Sequence, residues 1–204
     1  MKECMEDIGT YKGPEGLERL FQEIRTILAH KQRVVVAIAG LPGAGKTRLV
    51  KRFVRLGFGT MGRKDIQVVD DNTIYSTKCW RLHWEKIHLD KRESRSFLES
   101  TGAKVVFFSN WIPSRFLGFA DIYVILKLDE EERVKRLKRR ERKAPEKFLV
   151  QKAKEEIPLE EPFECPRVMT LANHPNGMFR WHCMWAVRRW YSNLRPDTMK
   201  TIHI

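Results

Sequence analysis

The stretch VVVAIAGLPGAGKTRLV, residues 34–50, decides the fold of this chain. Its first six residues are apolar and mostly β-branched, which predicts a strand buried on both faces. Residues 40–47 then match the pattern G-x-x-x-x-G-K-[ST] at every fixed position. The residues from Lys46 onward have helical spacing. A strand, a glycine-rich turn and a helix in this order predict a phosphate-binding loop, called the P-loop below.

The chemistry of the P-loop follows from its residue types. The glycines let backbone N–H groups converge on an anion, and the helix that follows adds its partial positive end. Lys46 is expected to reach the β- and γ-phosphates, and the Thr47 hydroxyl to ligate Mg²⁺. We therefore expect a nucleoside triphosphate with Mg²⁺. ATP is the expected donor, although the loop itself does not distinguish ATP from GTP. The predicted nucleotide-binding residues are Gly40, Leu41, Pro42, Gly43, Ala44, Gly45, Lys46, Thr47 and Arg48.

Strands and helices alternate along the rest of the chain. Such alternation predicts an α/β fold of three layers, with a five-stranded, mostly parallel sheet and helices on both faces. We expect one domain. Further strands are predicted at 66–71, 103–110, 121–128 and 167–173, and helices at 15–30, 46–58, 129–143 and 177–195. Residues 72–102 are predicted to be helical in pieces.

Composition limits the class of protein. The 204 residues are 42% hydrophobic and 32% charged, with a formal net charge of +13, which favours anionic partners such as nucleotides or nucleic acid. The four cysteines form no CxxC pair, so a zinc site is poorly supported. No apolar run approaches a membrane span, and the N-terminus lacks the apolar segment of a signal peptide. We expect a cytoplasmic protein without a membrane partner.

Several motifs resemble, in their order, the P-loop nucleoside and nucleotide kinase superfamily, especially its uridine kinase and pantothenate kinase branch. The motifs are RVVVAIAGLPGAGKTRLV (33–50), VVDDNTIY (68–75), LDEEERVKRLKRR (128–140) and RVMTLANHPNG (167–177). The resemblance implies an ATP-dependent phosphotransferase with one P-loop kinase-like domain over residues 1–204. It also implies an acceptor-binding insert at residues 72–102 and a short basic lid at residues 133–160. A GTPase is disfavoured because neither a guanine-reading N/T-K-x-D nor a D-x-x-G motif is present.

The resemblance places the family's acid on Asp70, with Asp71 beside it. A carboxylate at the end of the second predicted strand faces the γ-phosphate region, where it can accept a proton from an acceptor hydroxyl or help to hold the metal. Asp71 is accordingly a candidate substrate contact. The alternative is that both acids cap the helix that follows.

Basic residues give the remaining candidates. Arg136 and Arg140 match the family's R-L-x-x-R and lie four residues apart, so they share a helix face and could clamp the transferring phosphate. Arg133 and Arg139 are neighbouring candidates. The alternative is a solvated basic helix. Arg115, after the third strand, is a further candidate substrate contact.

Two features depart from the branch. The third strand ends in FFSNW, residues 107–111, where the branch usually has Glu-Gly. The insert carries Trp80 and Trp84 among basic residues, which could stack bases and follow a phosphate backbone, or be buried in a helix. Two acceptors therefore stay open: a small nucleoside or nucleotide, and an RNA or DNA end. A third alternative is a P-loop NTPase or nucleotide switch, which has no acceptor.

Overall fold

The computed structural model describes residues 6–70, 73–78, 81–87, 93–140 and 163–173. Within these ranges, eight strands form one sheet, and four helices accompany it. The strands are β1 (Glu6–Lys12), β2 (Val34–Ala39), β3 (Ile66–Asp70), β4 (Thr73–Lys78), β5 (Arg81–Lys86), β6 (Val105–Ser109), β7 (Ile122–Leu128) and β8 (Arg167–Asn173). The helices are α1 (Gly13–Leu28), α2 (Lys46–Leu56), α3 (Ser94–Ser100) and α4 (Glu130–Arg140).

The sheet has the order β1-β8-β7-β2-β6-β3-β4-β5. Its first six strands run parallel, and β4 and β5 add an antiparallel hairpin beyond β3. The α/β class, the mostly parallel sheet and the five predicted strands are confirmed, as is the P-loop kinase fold. The predicted number of five strands is wrong, because β1 extends one edge of the sheet and the hairpin extends the other.

The hairpin corrects the prediction that residues 72–102 are helical in pieces. Helix α3 does lie in this segment, but residues 73–78 and 81–86 are strands. Ile74 and Tyr75 favour a strand because β-branched and aromatic side chains fit a pleated surface, and the edge of β3 offers backbone groups that need partners. Tyr75 lies opposite Trp84, so each supports the other across the hairpin.

Each face of the sheet has its own apolar core. In β2, Val34, Val36 and Ile38 face the core shared with α1 and α2, while Val35, Ala37 and Ala39 face the core that contains Leu98 of α3. All six residues are buried, as the continuous apolar run predicts. Helices therefore cover both faces, and β2 is held near the middle of the sheet.

Local sequence signals set the helix boundaries near the P-loop. Helix α2 ends at Leu56 and is followed by Gly57, whose φ of +85° suits a residue without a Cβ. Helix α4 begins after Asp129, whose carboxylate accepts a hydrogen bond of 3.1 Å from the Glu132 amide. The predicted helix at 177–195 and most of the predicted lid lie outside the described residues.

Candidate functional site

The P-loop joins the carboxyl end of β2 to the amino end of α2, as predicted. Gly43 and Gly45 have φ values of +88° and +102°, which other residues adopt only with strain. A Cβ at Gly40 would lie 2.7 Å from the Leu126 carbonyl oxygen, so only glycine lets the loop pass this close to β7. Leu41 and Ala44 close the turn through a 3.1 Å backbone hydrogen bond.

The amino end of α2 is arranged to receive an anion. The first amides of a helix have no acceptor within the helix, and here the N-cap is Gly45, which provides no capping side chain. The first turn holds no acid, whereas the first turn of α4 holds three. Thr47 and the exposed Arg48 lie there instead. Phosphate oxygens would supply the missing negative charge.

Lys46 folds back over the P-loop. Its Nζ donates hydrogen bonds to the carbonyl oxygens of Gly40, at 2.5 Å, and Leu41, at 3.4 Å. The ammonium is therefore held above the loop itself, at the place where the motif requires a cation for the β- and γ-phosphates.

The Thr47 hydroxyl contacts the predicted acid of β3. Thr47 Oγ1 donates a hydrogen bond of 3.2 Å to Asp70 Oδ1, and Asp70 is 8% exposed. A hydroxyl and a carboxylate are the hard oxygen ligands that Mg²⁺ prefers, alongside nucleotide phosphates and water. The pair thus fits Mg²⁺. The alternative that Asp70 caps a helix is wrong, because the element after it is β4. Asp71 lies outside the described residues.

Ser109 is a site residue that sequence reasoning missed. It is the last residue of β6 and lies beside Ile38 of β2 on one side and Asp70 of β3 on the other. Its hydroxyl is fully buried and has no hydrogen-bond partner within the described part of the chain. An unpaired buried hydroxyl is costly, so a phosphate oxygen or metal-bound water would be a fitting partner. The available signal was a polar residue ending a buried strand.

Helix α4 packs directly against the P-loop. A Cβ at Gly43 would lie 3.0 Å from the Arg133 carbonyl oxygen and 3.1 Å from Leu137 Cγ. The Arg133 guanidinium is buried and donates a 3.3 Å hydrogen bond to the Pro42 carbonyl oxygen. The α4 arginines are therefore not all on a solvated helix face, since Arg133 lies against the loop.

The two arginines singled out from the sequence lie farther along α4. Arg136 Nε donates a 2.9 Å hydrogen bond to Glu132 Oε1 and is mostly buried, while Arg140 is exposed at the last residue of the helix. Arg140 lies seven residues after Arg133, so the two share a face of α4. Arg115 is exposed on the 3₁₀ turn Pro113–Arg115 that follows β6.

The hairpin places an exposed aromatic surface beyond β3. Trp84 is 62% exposed and lies opposite Tyr75, and Lys51 Nζ of α2 lies 4.6 Å from the centre of the Tyr75 ring. The alternative that a helix buries the insert's tryptophans is wrong for Trp84, because this residue is on a strand and exposed. Trp80 lies outside the described residues.

Two groups with shifted pKa values, Cys165 and Tyr123, lie on the face of the sheet opposite to the P-loop helix α2. Burial raises the pKa of the Cys165 thiol to about 11, and burial followed by the nearby Cys165 raises the pKa of Tyr123 above its usual range. Both belong to the core with α3, whereas the P-loop helix α2 packs on the other core. They are therefore structural groups and not part of the candidate site.

A surface cavity of about 610 Å³ lies at the opposite end of the sheet. Its lining includes Asp65, just before β3, and Lys104, just before β6. Ligands of parallel α/β sheets bind outside the carboxyl ends of the strands, and this cavity is at their amino ends. The chemistry of the P-loop does not involve it.

A glycine-rich loop with this geometry, between a buried strand and an uncapped helix, defines a P-loop nucleotide-binding protein. Residues 36–158, more than half of the chain, match the family model described as AAA domain, and the chain belongs to this family. The matched segment includes the P-loop, Asp70, Ser109 and α4. A search of curated proteins found no match. No helix within the described ranges is long and apolar enough to cross a membrane.

Proposed function

We propose that the protein is a Mg²⁺- and ATP-dependent phosphotransferase that moves the γ-phosphoryl group of ATP to a hydroxyl or phosphate acceptor. The observation that carries the proposal is the 3.2 Å contact between the P-loop hydroxyl of Thr47 and the carboxylate of Asp70. Phosphoryl transfer needs positioning and neutralisation of charge more than covalent chemistry. This contact supports the proposal because it joins the phosphate-binding motif to a carboxylate that could help to hold a metal ion. The motif order resembling the uridine and pantothenate kinase branch supports the same proposal.

Each residue of the site has a proposed task. The loop amides and Lys46 hold the phosphates, and Thr47 with Asp70 holds Mg²⁺, which when bound neutralises charge on the β- and γ-phosphates. The buried Ser109 hydroxyl donates a hydrogen bond to a phosphate oxygen or metal-bound water. Asp70 is mostly buried and already accepts a hydrogen bond from Thr47. This favours a role in holding Mg²⁺ over a role as general base.

The proposed reaction is a displacement at phosphorus. An acceptor oxygen forms a bond to the γ-phosphorus while the bond from that phosphorus to the β–γ bridging oxygen breaks, and ADP leaves. A hydroxyl acceptor loses its proton, which Asp70 could take. Arg136 and Arg140 would stabilise the transferring group from a lid over residues 133–160, in a single domain spanning residues 1–204. Asp71, Arg115 and the insert over residues 72–102 would contact the acceptor.

Labelled ATP tests this proposal. The protein is incubated with [γ-³²P]ATP, Mg²⁺ and pools of nucleosides, nucleotides or oligonucleotides, and the fate of the label is followed. We expect label on an acceptor, and a loss of at least about a hundredfold in Lys46→Ala. Lys64→Ala, which changes an exposed lysine just before β3 at the amino ends of the strands, is the control with unchanged transfer. Full transfer by folded Lys46→Ala would contradict the proposal.

A polynucleotide end is the second candidate for the acceptor. The exposed Trp84, with Tyr75 and Lys51 beside it, provides a stacking surface next to cationic charge. Binding of a single-stranded oligonucleotide should then weaken steeply as salt rises, with a slope that reports the number of phosphate contacts. Trp84→Ala should weaken oligonucleotide binding and leave ATP binding unchanged. A flat salt profile would favour a small acceptor.

A nucleotide switch or assembly ATPase is the third candidate, because the matched AAA domain is a nucleotide-binding domain that does not by itself identify an acceptor. Asp70 and the neighbouring Asp71 would then act on the metal and on an attacking water, with no acceptor. In the labelling experiment all of the label would be released as inorganic phosphate, whatever acceptor pool is supplied.

A further inference from the structure

We propose that Arg133 is a positioning residue that fixes the Pro42 carbonyl and thereby orients the Gly43 amide toward bound phosphate. The inference rests on the proposed nucleotide-binding function of the P-loop and adds a residue that acts through the loop backbone. Arg133 is the largest fully buried side chain of the described residues, with 1% of its surface exposed. A buried arginine needs partners that compensate for its lost hydration.

The partners of Arg133 hold its guanidinium in one orientation. Glu130, one turn earlier on α4, accepts hydrogen bonds from Nε at 3.0 Å and from Nη2 at 2.5 Å, which is a bidentate pair. The Glu130 side chain is 62% exposed, so it can remain solvated while it holds the buried guanidinium. This pair leaves Nη1 directed at the Pro42 carbonyl oxygen, 3.3 Å away.

The geometry of a trans peptide turns this contact into control of an amide. In a planar trans peptide the C=O and the following N–H point in opposite directions. When Arg133 holds the Pro42 carbonyl toward α4, the Gly43 N–H points away from α4. The loop amides can converge on an anion only from that side, because Arg133 and Leu137 pack against Gly43 from the other.

The close packing of α4 makes this orientation hard to lose by motion of the helix alone. A methyl group at Gly43 would be in unusually tight contact, since the Arg133 carbonyl oxygen and Leu137 Cγ lie 3.0 and 3.1 Å from the Cβ position. Loop and helix must therefore move together. Arg133 consequently links phosphate binding in the loop to the position of α4.

Nucleotide affinity of Arg133 variants tests the inference. The dissociation constants of MgATP, MgADP and MgGTP are measured by calorimetry on the whole chain for the wild type, Arg133→Met and Arg133→Lys. We expect Arg133→Met to weaken MgATP and MgADP by about tenfold or more, because one oriented phosphate contact is lost. The ratio of ATP to GTP affinity should not change, since the base is not contacted through this peptide. The affinity of Arg133→Lys should lie between those of the wild type and Arg133→Met, because lysine keeps the charge but not the bidentate pair.

Two further measurements separate positioning from a merely structural role. The melting temperature without nucleotide reports stability, and its rise on adding MgATP reports affinity. If Arg133 were merely structural, its variants would lower the melting temperature without nucleotide but leave the rise on adding MgATP unchanged. That result would overturn the inference. Lys64→Met is the matched control: it removes one positive charge from an exposed position just before β3, at the amino ends of the strands, and should bind MgATP like the wild type.

The possible failures can be told apart. If the folded wild type binds no nucleotide, the proposed function itself is wrong. If the wild type binds and folded Arg133→Met binds equally well, only the role of Arg133 is wrong. Should Arg133→Met fail to fold, Arg133→Lys decides by the same measurement, and wild-type affinity in that variant overturns the inference.

Discussion

Thr47 and Asp70 are 23 positions apart in the chain, and their side chains are 3.2 Å apart in the structure. This proximity follows from an elementary property of parallel sheets: the carboxyl ends of all parallel strands lie at one edge, and only β6 separates β2 from β3. A P-loop after one strand and an acid at the end of another are therefore sufficient to predict that the two meet at this edge of the sheet. The residues that meet there determine which chemistry the sheet can perform.

Asp70→Asn tests whether this carboxylate acts mainly on the metal side. The amide oxygen can still accept the Thr47 hydrogen bond, but the negative charge near Mg²⁺ is lost. We expect the Mg²⁺ concentration for half-maximal nucleotide binding to rise by about 10- to 100-fold. Transfer should recover in part at high Mg²⁺.

The same variant distinguishes the alternative role. If Asp70 is the general base, Asp70→Asn should lose transfer at every Mg²⁺ concentration while its binding of MgATP stays normal. Unchanged Mg²⁺ dependence together with unchanged transfer would contradict both roles for Asp70.

The sequence predicts some site residues and not others for a physical reason. Gly40, Lys46 and Thr47 belong to a contiguous motif whose spacing fixes its geometry, so their places are predictable. Ser109 and Arg133 depend on burial. The pairing register alone sets Ser109 beside Asp70, and only the docking of α4 on the P-loop buries Arg133. No local pattern encodes either contact.

At the scale of elements, central strands were easier to predict than edge strands. Strand β2 is buried on both faces, so its residues form a continuous apolar run that is easily recognised as a strand in the sequence. Strand β1, EDIGTYK, is an edge strand with acids, a glycine and a lysine, and its pairing with β8 is irregular between Asp7 and Gly9. Edge strands carry such residues because they limit further pairing, and this hides the strand from a search for apolar runs.

The contact between α4 and the P-loop predicts the effect of a single methyl group. Gly43→Ala forces a left-handed conformation at φ +88° and a clash with the Arg133 carbonyl oxygen. We expect the free energy of unfolding to fall by about 1–2 kcal/mol and MgATP affinity to fall by about tenfold, measured by denaturation and calorimetry.

Gly102→Ala is the matched control for this prediction. Gly102 does not have a positive φ, and a Cβ there would have no neighbour within 4 Å. This variant should keep wild-type stability and affinity. Wild-type affinity in Gly43→Ala would show that the loop relaxes away from α4, against the packing described above.

At the scale of the whole molecule, two cores separate nucleotide chemistry from structural support. The face with α1 and α2 carries the P-loop helix, and the face with α3 buries Tyr123 and Cys165. The formal charge of +13 favours anionic ligands for the molecule as a whole. Charge alone does not choose the ligand, and the P-loop does.

Burial of Cys165 predicts a loss of stability at alkaline pH. Its pKa rises from 9.0 to about 11 on folding, so the folded state favours the protonated thiol. The resulting stabilisation is complete below about pH 9 and is lost as the pH rises to about 11, by up to about 3 kcal/mol. Tyr123, whose pKa is also raised, acts in the same direction.

Guanidinium denaturation at pH 8.5 and pH 10.5 measures this effect. Cys165→Ala removes the titrating thiol, so its stability should fall less over the same interval than that of the wild type. An equal fall in both proteins would show that the thiol does not contribute. The comparison is made within each protein, because the substitution also changes packing at neutral pH.

Calorimetric titration with MgATP tests the central claim most directly, which is that residues 40–47 bind a nucleoside triphosphate. The account predicts binding heat with one site per chain, its loss in Lys46→Ala, and its dependence on Mg²⁺ through Thr47 and Asp70. A folded wild-type protein that gives no binding heat with MgATP or MgGTP at several temperatures would contradict the account.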